Sequence, residues 1–173
     1  MAQGSIIAFM NKNGPVEPVR IFVGCDPNDC DLEQMMVLDY SLNKHTSLPL
    51  QIHWMRLSTD RSSPWYCNAA TGEGWQTRRW ATPFSGFRWA VPAVCGFEGR
   101  AIYMDTDIIA LADIAELWRA PMPEPAVVLA KPEDPGFRFC VSLWDNARAK
   151  PHVNSLEALQ GNPAAHARQS DYF

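Results

Sequence analysis

The feature that most constrains this chain is one apolar strand that runs straight into two acids. Arg100-Ala101-Ile102-Tyr103-Met104 is β-branched, aromatic and apolar, and it ends at Asp105-Thr106-Asp107. Ile108-Ile109-Ala110-Leu111 then resumes the apolar pattern. A solvated acidic turn is rarely flanked by apolar runs on both sides, so these acids are expected at the carboxyl end of a buried strand. Successive strand side chains alternate between faces, so residues two apart share one face. Asp105 and Asp107 can therefore address a single ligand. Two close carboxylates repel, and a divalent cation removes that conflict. Oxygen donors suit Mg²⁺ or Mn²⁺, which keep few protein ligands and complete their shells with water and substrate phosphates. The substrate class implied is a diphosphate ester.

The surrounding pattern is that of an α/β protein. Val19-Arg20-Ile21-Phe22-Val23-Gly24 reads as a buried first strand that stops at the polar turn Cys25-Asp26-Pro27-Asn28. Asp31 is placed to cap a helix over 32–44, with Leu32, Met35, Met36, Leu38 and Leu42 on its apolar face. Leu50 to Leu57 alternates apolar and polar and reads as a second strand. Phe84 to Val94 forms a helix interrupted or started near Pro92. Asp113 caps a short turn through Glu116, Leu117 and Trp118. Ala126 to Ala130 is a fourth strand and Phe137 to Trp144 a fifth. Strands alternating with helices predict a largely parallel sheet, with ligands at the carboxyl ends of its strands. Three parts are expected: residues 1–18 as an N-terminal tail or edge element, 19–145 as the main domain, and 146–173 as a short polar tail with one helical turn near 155–160.

Composition limits the alternatives. The chain has 173 residues, 47% of them hydrophobic, which suits one domain with a real core and argues against disorder. A net charge of −4 offers no field for nucleic acid or an acidic membrane. Any anionic substrate must be held by local groups or a metal. The five cysteines, Cys25, Cys30, Cys67, Cys95 and Cys140, form no C-x-x-C pair and read as reduced, mostly buried thiols of a cytosolic protein. Cys25 in particular reads as a small side chain in a tight turn. The opening run Ser5 to Met10 is too short for a signal core or a membrane span. The expectation is a cytoplasmic protein, at most peripheral to a membrane.

The segment from Gly99 to Trp118, with Tyr103, Asp105-Thr106-Asp107, the acid Asp113 and Leu117-Trp118, resembles the hallmark of family 8 glycosyltransferases. Phe84-Ser85-Gly86-Phe87-Arg88-Trp89-Ala90-Val91-Pro92 is similar to the family helix that carries an Arg before an apolar-Pro step. The turn at Gly24-Cys25-Asp26-Pro27-Asn28 is similar to the family's uridine-binding start. The resemblance spans about residues 19–145. It implies a GT-A fold, a Rossmann-like α/β/α sandwich. It also implies transfer of a sugar from a nucleotide sugar, most often UDP-linked, with retention. It makes Asp105 and Asp107 ligands of Mn²⁺ (or Mg²⁺), Asp105 a neighbour of the ribose as well, Asp26 and Asn28 contacts to the nucleoside or donor, and Arg88 the group on the donor phosphate and sugar. Asp134 is a candidate contact to the donor sugar, and Asp145 and Asn146 are left as surface polars. The acceptor is an unknown glycan, lipid or protein.

One family element has no counterpart. The family completes its metal site with a His in an H-x-x-G-x-x-K-P-W type motif. His152 and His166 lie in the final segment without Gly three residues later, and both read as exposed. A truncated or inactive nucleotide-sugar-binding domain is therefore the alternative to an active transferase. A haloacid-dehalogenase-type phosphohydrolase ranks third. It would use Asp105 as nucleophile, but it wants Thr or Val where Ile109 stands and places its motif near the N-terminus. Residues 58–83 form a long aromatic loop. Trp65, Trp75 and Trp80 read as a lid over the core, with sugar or nucleobase stacking as the other option. Arg78 and Arg79 read as solvated, with phosphate contact as the other option. Glu73 and His53 carry no distinctive context.

Overall fold

The computed structural model describes residues 10–11, 14–78, 80–162 and 164–173. Most of the expected N-terminal element and Arg79 lie outside the described residues, as does the side chain of His166. Five strands form the central sheet: β1 (Val19–Gly24), β2 (Leu50–Met55), β3 (Arg100–Asp105), β4 (Val128–Pro132) and β5 (Phe137–Asp145). Their spatial order is β2-β1-β3-β5-β4. β2 and β3 both pair parallel to β1, whereas β5 pairs antiparallel to β3 and to β4. Four strands thus run one way and β5 runs against them. The sheet is mixed but mostly parallel, as the alternation of elements predicted. The reversal at β5 follows from its short link to β4. Only Glu133-Asp134-Pro135-Gly136 separates them, and so few residues can turn a hairpin but cannot make a parallel crossover.

Strand parity sorts the core into two layers. Val19, Ile21 and Val23 of β1 and Ile102 and Met104 of β3 face one side. There they bury against Leu38 and Leu42 of α1 (Leu32–His45) and Ile114 and Trp118 of α3 (Ile114–Trp118). Phe22, Ala101 and Tyr103 face the opposite side. That layer is aromatic: Phe87 and Trp89 from a 3₁₀ turn at Phe87–Ala90, Val91 from α2 (Val91–Val94), and Trp75 from the long loop. By the same alternation, Gly24 and Asp105 belong to the aromatic side.

Asp113 caps α3 as expected, accepting the Ala115 N–H at 2.9 Å. Two details of α1 differ from the sequence reading. Asp31 occupies the N-cap position, yet its carboxylate makes no cap bond and instead accepts the Asp26 N–H at 2.9 Å. The buried face is Leu38, Ser41 and Leu42, while Leu32 and Met36 point to solvent with Tyr40. Ser41 replaces them inside because its Oγ accepts the N–H of Ala110. That bond ties the segment after Asp107 to the helix.

The final segment packs more than a polar tail would. It contains α4 (Asn146–Ala149), α5 (Leu156–Gly161) and α6 (Ala165–Tyr172). Ala149, Leu159 and Ala165 are buried in the aromatic layer. Phe173 stacks on Trp89 with centroids 5.7 Å apart and meets Trp144 edge-on at 5.5 Å. Asn146, expected on the surface, is buried and donates to the carbonyl of Glu98 at 2.9 Å.

Candidate functional site

The chain passes from β1 through α1 to β2 on one side, and β3 joins on the other. The crevice between the carboxyl ends of β1 and β3 is thus a topological switch point, where ligands of such sheets sit. Gly24 and Asp105 are register partners at this position. The Asp26 turn follows one strand and the Asp107 turn the other.

Asp105 is the best defined group in the crevice. Its Oδ1 accepts a 2.6 Å hydrogen bond from the Tyr103 hydroxyl. The Nη2 of Arg88 donates to the same oxygen at 3.1 Å. The guanidinium also lies 5.1 Å from the centre of the Tyr103 ring, and its Nε is anchored on the Ser85 carbonyl at 2.9 Å. Both charged side chains are mostly buried, at 19% exposure for Arg88 and 23% for Asp105. Burial pushes the Asp105 carboxyl above its ordinary value, while Arg88 and the Tyr103 hydroxyl pull it down and Asp107 pushes it up again. Burial also holds the Tyr103 phenol well above the usual range, so it stays a donor. Asp107 itself is exposed in the turn, and Thr106 between it and Asp105 is buried.

The space around this group depends on a glycine. A Cβ at Gly24 would stand 3.0 Å from Phe84 Cδ2 and 3.2 Å from the Tyr103 hydroxyl. Phe84 can therefore lie flat over the end of β1, which brings the 84–88 turn and Arg88 to Asp105. Tyr103, Phe84 and Gly24 were not singled out from the sequence as site residues. The signal for Tyr103 was present, since it lies two residues before Asp105 on the same strand face.

The turn after β1 is prearranged. Asp26 Oδ1 accepts the Asn28 N–H at 2.7 Å, and the Asp26 N–H is held by Asp31. Arg56, just past β2, pairs with Asp29 at 2.5 Å and reaches the sulfur of Met35. Asp26 is half-buried and Asn28 exposed. Cys25 is buried under this turn with its thiol pushed up to about 12, chiefly by desolvation, so it is a packing residue as expected. All five cysteines are free.

Other candidates lie further off. Asp134 is exposed in the β4–β5 hairpin turn, which leads into β5, the antiparallel neighbour of Asp105's strand β3, and makes no hydrogen bond or ion pair among the described residues. His152, in the turn after α4, has its Nδ1 2.6 Å from the hydroxyl of Tyr172 on α6. Among the described residues no three His, Cys, Asp or Glu side chains converge as a complete metal site. Trp65, Trp75 and Trp80 gather around Phe87, with centroids 4.6, 5.0 and 6.0 Å from it, so packing is their first role. Glu73 is tied to Arg61, and His53 stacks on Phe22.

No family model matches the sequence. The chain is similar to the protein named Protein CDI of Arabidopsis thaliana, at 33% identity over 121 residues. That match takes in 68% of this chain and 43% of the relative. Among solved structures, the bifunctional glycosyltransferase WbbM in its apo form superposes with a TM-score of 0.57 at 14% identity, over 78% of this chain and 32% of that one. The glycosyltransferase GlyE of Streptococcus pneumoniae TIGR4 superposes with a TM-score of 0.54 at 18% identity, over 78% of this chain and 36% of that one. Its apo form matches over 90% of this chain and 38% of that one. The chain thus spans less than half the length of each. The fold is the mixed α/β fold of GT-A glycosyltransferases. Among the described residues no helix is long and apolar enough to cross a membrane.

Proposed function

We propose that the chain forms the donor-binding part of a metal-dependent glycosyltransferase, resembling family 8, that takes a sugar from a nucleotide sugar such as a UDP-sugar and transfers it with retention. The observation that carries this reading is Asp105. It is an acid at the switch point of a glycosyltransferase-type fold, held by Tyr103 and Arg88 and sensing the charge of Asp107.

The residues present fit a hard divalent cation of the substrate-completed kind. Asp105 keeps its second oxygen free of hydrogen bonds among the described residues, and Asp107 is open to solvent two residues on. Such cations need only one or two carboxylates when a diphosphate supplies further oxygens. Bound there, Mn²⁺ or Mg²⁺ would offset charge on the diphosphate and make it a better leaving group.

The remaining chemistry belongs to side chains of this chain. Arg88 is positioned by Ser85 and Tyr103, so its guanidinium is ready to stabilise negative charge that develops on the leaving nucleoside diphosphate. Asp26 and Asn28 border the crevice from the β1 side, where a nucleoside would lie. Asp134, in the turn that opens β5 beside β3, is kept as the donor-sugar contact. The leaving phosphate oxygen can take the acceptor proton, so no enzyme base is required.

A panel of nucleotide sugars, assayed for nucleotide release with Mn²⁺ and with chelator, tests this reading. It expects metal-dependent UDP release that Arg88→Met abolishes. Hydrolysis of a generic phosphate ester with no nucleotide preference would refute it. A non-catalytic donor-binding domain is the second reading, favoured by the absence of a third converging ligand among the described residues. Tight nucleotide binding without release from any sugar donor would select it.

A further inference from the structure

The long loop does more than cover the core. On the aromatic side of the sheet it leaves a cleft of about 610 Å³, within the range of small-ligand sites. We infer that this cleft is the acceptor subsite and takes a saccharide, an inference that rests on the transferase reading above.

Three observations point there. The first is position. Pro27, between Asp26 and Asn28, forms part of the wall, as does Thr82. The chain runs from Thr82 directly into Phe84, which lies on Gly24, and into Ser85, whose carbonyl anchors Arg88. The cleft and the Asp105 crevice are therefore joined by the 82–88 segment, which would set an acceptor hydroxyl in one towards a donor in the other.

The second is the chemistry of the lining. Gln76 uses its amide N–H on the Gly72 carbonyl at 2.8 Å, which leaves its Oε1 to accept. The Thr82 Oγ1 is buried with no hydrogen-bond partner among the described residues. A buried hydroxyl without a partner costs free energy, and a χ1 rotation that turns it into the cleft would let a ligand hydroxyl relieve that cost. Arg78 is exposed and forms no ion pair among the described residues. Among the described lining residues Arg78 is the one cation beside neutral donors and acceptors, a set that suits a polyhydroxyl ligand.

The third is preorganisation. Trp80 lines the cleft and is braced edge-on against Trp75 at 5.7 Å and Phe87 at 6.0 Å. A fixed indole beside neutral hydrogen-bonding groups offers a sugar both an apolar face and polar partners at little ordering cost.

Saturation-transfer NMR with lactose, maltose, cellobiose and chitobiose as probes tests the inference. It is run on the wild-type chain and on Gln76→Ala and Thr82→Val, with UDP plus Mn²⁺ titrated in parallel. The expected result is saturation transfer to at least one disaccharide, with affinity lower by about fivefold for each lost hydrogen bond, and UDP binding unchanged. Gln76 is exposed, so its variant keeps the test valid if Thr82→Val folds poorly. No transfer to any probe, or transfer that neither variant weakens, would overturn the saccharide site. Failure of the wild-type chain to bind UDP, with the sugars still bound at the cleft, would instead count against the donor reading.

Discussion

Tyr103→Phe isolates the shortest contact in the crevice. The phenol is fully buried and donates to Asp105 at 2.6 Å, a length typical of a hydroxyl bonded to a charged oxygen. Phenylalanine keeps the ring and leaves no large cavity, so the change removes the bond and little else. A hydrogen bond to a charged group contributes about 1.5 to 3 kcal/mol. Asp105 retains Arg88 and 23% exposure, and water replaces part of the loss, so the expected cost is about 1 to 2 kcal/mol at pH 7. For a chain of this length that lowers Tm by about 2 to 8 °C. The Tyr103 hydroxyl also pulls the Asp105 carboxyl down, so its removal must move that titration further above the ordinary 3.8. Urea denaturation at pH 7 reads the first effect, and carbon-detected NMR of the Asp105 carboxyl reads the second. Unchanged stability together with a carboxyl that titrates lower would refute the reasoning.

Three further outcomes follow from the same geometry. Because burial raises the folded-state carboxyl of Asp105 above 3.8, the folded chain holds that proton to a higher pH than the unfolded chain. Wild-type stability should therefore fall relative to Asp105→Asn as pH rises from about 3.8 through the folded value, and paired urea melts across that window would show a flat difference if the burial argument were wrong. Phe173→Ala removes the ring stacked on Trp89 and set edge-on to Trp144, and a half-buried aromatic at this position should cost about 2 kcal/mol in a denaturation curve, where a loose tail would cost nothing. Gly24→Val drives side-chain atoms against Phe84 and Tyr103. It should destabilise the fold by about 1 to 3 kcal/mol and weaken nucleotide binding by calorimetry, whereas unaltered binding would mean that Phe84 does not set the crevice.

Much of the fold was legible because strand and helix periods are local. The β-branched run at 19–24, the apolar strand ending at Asp105 and the capping acid Asp113 each specify their element from a few neighbours. Direction is not local. Nothing in the pattern of Phe137 to Trp144 tells which way that strand runs. The face of α1 was misjudged for a related reason. Leu32 and Met36 look like core residues by period, but the helix is rotated so that Ser41 can meet Ala110, a partner 69 residues away. At the candidate site the acids were readable from their apolar flanks. The hold of Tyr103 and Arg88 on a single oxygen was not, because it depends on where the 84–88 turn lands. Asp134 had nothing but a place in the order of elements, and it lies in the turn that leads into β5, the neighbour of β3.

Calorimetric titration of UDP, with and without Mn²⁺, into the wild-type chain and into Asp105→Ala/Asp107→Ala is the most direct test of the central claim. The account predicts Mn²⁺-dependent binding that disappears in the double variant while the fold, followed by circular dichroism, persists. UDP binding that survives the loss of both carboxylates, or no binding under any metal condition, would contradict a donor site at the ends of β1 and β3.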